Sequence, residues 1–130
     1  MRYALLIYVE PWESTPEQDN ETMEAYNAFG REAGEAGVMR GGEALHEAKT
    51  ATSVRVRNGQ TLVTDGPFAE TKEEFGGFYM VEAANLDEAI KWAAKIPGAT
   101  RGTIEVRPIV DFPDPDAESA DQAPAGMAAG

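Results

Sequence analysis

The sequence predicts an α+β fold, a split β-α-β arrangement with an added β-hairpin and an acidic tail. Three observations carry that expectation. Strand-like apolar runs alternate with two stretches of helical periodicity. An Asn58-Gly59 dipeptide separates two short runs of strand-forming residues. The composition changes abruptly after Val110. At 130 residues the chain can bury one hydrophobic core and hardly two, so a single domain is expected.

Arg2 to Val9 is rich in Tyr, Leu, Ile and Val and is closed by Pro11, which reads as a first strand. Thr15-Pro16-Glu17-Gln18 is a helix start. Thr15 suits the cap, Pro16 the first helical position, and Gln18 the reciprocal place of a capping box. Met23, Tyr26, Phe29, Ala33 and Ala36 then recur every three or four residues, as the inner face of an amphipathic helix does, and Gly37 ends it. Val38 to Leu45 is a second strand, weakened by Gly41-Gly42.

Thr52–Arg57 and Gln60–Thr64 flank Asn58-Gly59, the pair most favoured in a two-residue hairpin turn of type I′. Such a turn sets the register: Arg57 opposite Gln60, Val56 opposite Thr61, Val54 opposite Val63 and Asp65 opposite Thr52. A further strand over Gly77–Glu82 leads to a second helix capped by Asn85, with Leu86, Ala89, Ile90, Ala93 and Ala94 as its buried face. Pro97-Gly98 stops that helix, and Thr103–Arg107 is the last strand. The order is that of a ferredoxin-like split βαβ with two helices on one face of an antiparallel sheet. Residues 1–110 form this domain. Residues 111–130, rich in Pro, Asp, Ala and Gly, hold too little apolar surface to offset the cost of ordering and are expected to be disordered.

The first strand is apolar on both sides, with Tyr3, Leu5 and Ile7 alternating with Ala4, Leu6 and Tyr8. Two helices cover only one face of such a sheet. A second copy packed sheet to sheet is the simplest cover for the other, so a homodimer is expected.

Charge excludes several classes. The chain carries 23 acids against 11 bases, a formal net charge of -12, and this repels phosphate backbones and anionic lipid. No nucleic-acid partner and no membrane attachment are expected. The apolar run at the N-terminus is too short for a leader and is followed by Glu10-Pro11-Trp12-Glu13. There is no cysteine, which rules out disulfides and thiol chemistry and fits a cytoplasmic chain. Neither phosphate-cradling glycine pattern is present, nor a nucleophile elbow, nor an HExxH pair. No cofactor is expected. One histidine among scattered carboxylates lacks the ligand cluster zinc requires.

The candidate residues are few. Alternation puts Asp65 on the same hairpin face as Val54, Val56, Thr61 and Val63. A carboxylate there is either a general acid or base tuned by desolvation, or the anchor of an Asp65-Gly66-Pro67 turn. His46, the only histidine, suits proton transfer near neutral pH and would pair with Asp65 if the strand ends meet; otherwise it is a surface residue. Arg40 and Arg107 could each orient an anionic substrate or close an internal ion pair. Phe68, just after Gly66-Pro67, could wall a pocket. Lys72 lies in a charged run that reads as solvated surface.

The stretch Thr64-Asp65-Gly66-Pro67-Phe68-Ala69-Glu70-Thr71-Lys72-Glu73-Glu74-Phe75-Gly76-Gly77, with Gly41-Gly42-Glu43-Ala44-Leu45 before it and Glu105-Val106-Arg107-Pro108 after it, closely resembles the YCII-related family, in particular its DGPF subgroup. The resemblance covers roughly residues 1–110. It implies a ferredoxin-like subunit of a dimeric α+β barrel. The family's enzyme-like label rests on a proposed His/Asp pair; Asp65 is the characteristic residue of the motif, and His46 is the one histidine that could partner it. Two functions follow as expectations. One is a cofactor-free isomerase-, lyase- or hydrolase-like enzyme acting on a small carbonyl or carboxylate metabolite. The other is a non-catalytic module that binds a small molecule or a regulatory protein, since some relatives are encoded beside alternative sigma factors.

Overall fold

The computed structural model describes residues 1–113. In chain order they form β1 (Arg2–Val9), α1 (Pro16–Glu35), β2 (Met39–Ala44), a 3₁₀ turn (Ala48–Thr50), β3 (Thr52–Arg57), β4 (Gln60–Asp65), β5 (Glu74–Glu82), α2 (Leu86–Ala94), a second 3₁₀ turn (Pro97–Thr100) and β6 (Thr103–Pro108). Four strands make an antiparallel sheet in the order β2-β5-β1-β6, the ferredoxin-like order. β3 and β4 form a separate two-stranded ladder.

Local chemistry explains the element boundaries. Thr15 Oγ1 accepts from the Gln18 amide at 3.2 Å, and Gln18 Oε1 accepts from the Thr15 amide at 2.9 Å, so two orphan donors at the start of α1 are satisfied reciprocally. Gly37, at φ +73°, ends α1 in the left-handed region. Asn85 Oδ1 accepts from the Glu88 amide at 3.0 Å while Glu88 Oε2 accepts from the Ala84 amide at 2.8 Å, which starts α2. The hairpin pairs in the register that its Asn-Gly turn dictates, with Thr52 opposite Asp65 and Val54 opposite Val63. β5 begins at Glu74, three residues before the expected start. The added residues pair with the end of β1 across a bulge between Ile7 and Tyr8.

Both helices pack on one face of the sheet. Tyr3, Leu5 and Ile7 of β1 and Val81 of β5 are buried there against Phe29 and Ala33 of α1 and Ala89 and Ala93 of α2. The Phe29 ring lies 4.8 Å from that of Tyr79 and meets Trp92 edge-on at 6.3 Å. The core stripe of α2 is narrower than its apolar sequence: Ala89 and Ala93 are buried, whereas Leu86 and Ile90 stay about half exposed. Alanines let the nine-residue helix sit close to the sheet, and the larger side chains flank the contact.

The opposite face has no helix. Ala4, Leu6 and Tyr8 of β1 lie there beside Phe78 and Met80 of β5, all partly exposed, and Tyr8 packs on Phe75 with ring centres 5.4 Å apart. Among the described residues no helix is long and apolar enough to cross a membrane. Residues 111–113 are exposed and form neither helix nor strand, and Arg2 pairs with Asp111 at 2.9 Å. The rest of the tail expected to be disordered lies outside the described residues.

Candidate functional site

Glycine shapes the sheet beneath the first half of α1. On the helix-facing side, β2 offers Gly42 and Ala44, and β5 offers Gly77 before Tyr79. With so little side chain there, α1 does not close on the sheet, and a cleft of about 500 Å³ remains. That is within the range of small-molecule sites. Ile7, Val9 and Tyr79 line it from the sheet, and Thr22, Met23 and Tyr26 line it from α1. Asp19, in the first turn of α1, lies at its edge and accepts a hydrogen bond from Ser14 Oγ. Glu43 also borders the cleft, but strand alternation directs its side chain to the other face, beside Phe78.

The glycines are required by packing. A Cβ on Gly42 would come within 2.6 Å of the Phe78 carbonyl oxygen and 2.8 Å of Tyr79 Cδ1. A Cβ on Gly98 would come within 2.9 Å of Tyr26 Oη. Burial pushes the Tyr26 phenol above its ordinary range, partly offset by a hydrogen bond with the Gly98 backbone and by the Arg101 charge. Burial also raises Tyr79, and the Tyr26 phenol nearby adds to the effect. A second cleft, of about 400 Å³, lies on the other flank of Tyr26, where the Arg101 guanidinium stacks 3.5 Å from the centre of the Trp12 ring.

The residues singled out from sequence lie elsewhere. Asp65 ends β4 opposite Thr52 and is exposed, on the same hairpin face as Val54, Val56 and Val63. Its turn is held through the backbone of the next residue: the Gly66 amide donates to Ala51 O at 2.7 Å, and Ser53 Oγ donates to Gly66 O at 2.7 Å. His46 is exposed in the segment after β2 and forms no ion pair with Asp65. Arg40 is the extra residue of a bulge in β2, and its Nη1 donates to Gly37 O at 2.8 Å and Met39 O at 3.2 Å, closing the turn out of α1. Arg107 is exposed on β6, opposite Ala4 on the uncovered face of the sheet. Phe68 is 81% exposed. None of these five lines either cleft. Among the described residues no three His, Asp or Glu side chains gather as a metal site would require.

Sequence reasoning assigned none of the cleft residues Asp19, Thr22, Tyr26, Gly76 and Gly77 to a site. The available signal was the pair of glycine doublets, Gly41-Gly42 and Gly76-Gly77, inside strands that glycine weakens unless something approaches closely.

The model of the YCII-related domain matches residues 1–113. The chain belongs to the YCII-related family. It is 38% identical over 116 residues to an uncharacterised protein of Rhizobium meliloti (strain 1021), an alignment spanning 84% of this chain and 92% of that one. Within this YCII-related domain, two of the stretches that carry the resemblance reach the cleft. One contributes Gly42 and Ala44, the other Gly76 and Gly77.

Proposed function

We propose that this YCII-related protein binds a small, largely apolar molecule in the cleft between α1 and the glycine-rich end of the sheet. The observation that carries the reading is the cleft itself. Ile7, Val9, Tyr26 and Tyr79 line it with aromatic and aliphatic surface, and Thr22 and Asp19 lie beside them. A concave apolar surface with few polar groups is the usual form of a ligand site. Filling the cleft tests the reading. Ala44→Phe should leave the free protein folded and abolish the amide shifts that a library of small aromatic compounds induces at Gly42, Gly76 and Gly77. Unchanged shifts in the variant would place the ligand elsewhere.

A second reading is cofactor-free acid–base catalysis by Asp65, with His46 as proton shuttle and Arg40 or Arg107 orienting a small carbonyl or carboxylate substrate. One observation favours it. Val54, Val56 and Val63 are 61%, 60% and 64% exposed on the face that Asp65 shares. A second copy covering that face and the open face of the sheet would enclose Asp65 away from bulk water, where a general acid can meet its substrate. On this reading Asp65→Asn abolishes turnover and leaves the homodimer intact. A variant that keeps turnover removes Asp65 from the chemistry.

A further inference from the structure

We infer that the ligand of the α1–sheet cleft is a small primary amine with an apolar, ring-bearing body, an inference that rests on the cleft being the binding site. The cleft contains no Lys, Arg or His. A carboxylate or phosphate entering it would lose hydration with no base to receive its charge, which is costly. Asp19 is the charged side chain at its edge, and among the described residues it pairs with no base: its hydrogen bond comes from the Ser14 hydroxyl. An ammonium group placed there gains a charge-assisted hydrogen bond at the edge of an apolar cavity.

The cavity supplies a second attraction. Tyr26 and Tyr79 line it, and a phenol ring attracts a cation placed over its electron-rich face. Both phenols are neutral at pH 7, since burial moves them further above an ordinary value that is already alkaline, and they add no charge of their own to the cavity. The flat body of the ligand would lie on Ile7 and Val9, against the bare backbone of Gly77 and beneath the unbranched side chain of Met23, which adapts to irregular shapes. The acidic excess of the whole chain, a net charge of -12, adds a field of the same sign.

Three probes of one shape separate the alternatives: phenethylamine, phenethyl alcohol and 3-phenylpropionate. Each is titrated into the full chain at pH 7 and followed by amide shifts at Gly42, Gly76 and Gly77. The amine should bind about tenfold more tightly than the alcohol, the combined scale of one exposed ion pair and one cation–π contact. The carboxylate should bind most weakly. Asp19→Asn should weaken the amine about threefold and leave the alcohol unchanged, and added salt should erode the same increment. If the alcohol or carboxylate shifts the cleft amides as strongly as the amine, the amine inference fails and the cleft remains a binding site. If none of the three shifts them, both the inference and the binding-site reading fail.

Discussion

Gly42 and Tyr79 face one another across the β2–β5 ladder, and the tyrosine ring lies over the space where any other residue at position 42 would carry its Cβ. The Phe78 carbonyl closes the same space from the backbone side, so the clash cannot be relieved by a rotamer change alone. Gly42→Ala should therefore destabilise the fold by about 1–3 kcal/mol, the usual cost of overpacking. Urea denaturation measures it. A loss below a few tenths would mean that β2 shifts freely and that the cleft wall is not fixed.

The capping box gives a second expectation. Thr15→Ala removes the acceptor for the Gln18 amide and should cost about 0.5–2 kcal/mol. Because α1 roofs the cleft, the variant should also broaden the amide signals of Thr22 and Met23. Equal stability of variant and parent would assign the start of α1 to packing alone.

On the acid side, the N-terminal ammonium donates to Glu82 Oε1 at 2.8 Å and holds that carboxyl below its ordinary range. A depressed folded pKa adds stability above the unfolded value of about 4.5 and loses it as pH falls through the folded one. The melting temperature should consequently fall less steeply below pH 4.5 in Glu82→Gln than in the parent. Parallel curves would mean that the pair is fully screened by solvent.

On the alkaline side the sign reverses. The Tyr26 and Tyr79 phenols are raised in the folded state, so their contribution is present below the ordinary phenol value of 10.0 and lost as pH rises through the folded values. Absorbance at the phenolate band should show Tyr26 and Tyr79 ionising later than a free phenol, and Tyr26→Phe should remove one late step. Early ionisation of all four tyrosines would show that the cleft floor is open to hydroxide.

The uncovered sheet face sets the expectation for assembly. Leu6 and Met80 lie on it, away from both clefts. Leu6→Lys with Met80→Lys should halve the sedimenting mass if two copies pack there. The same mass for variant and parent would exclude this face as the interface.

Much of the fold was legible because short-range chemistry dictates it. Asn58-Gly59 fixes six residue pairs by turn geometry, and Thr15 with Gln18 fixes a helix start by two hydrogen bonds. The two helical stretches likewise foretold a sheet that helices cover on one side only. The cleft was not legible, because it consists of absent side chains, and the emptiness over Gly42 and Gly77 depends on where α1 crosses them. Arg40 illustrates the other limit. Its charge left a ligand and an internal contact equally open, and the bulge that turns it toward the Gly37 carbonyl exists only once β2 is paired with β5.

The central place of β1 also bears on how the chain is made. Leu5 pairs with Tyr79 on one side and Val106 on the other, and the ribosome delivers both long after Leu5 itself. The most apolar strand must wait, unpaired, until nearly the whole domain has emerged, and the long loops closed in that step slow the search. During synthesis this strand is the natural target for a chaperone, and the N-terminal segment, not the exposed hairpin, is where misfolding of the nascent chain would begin.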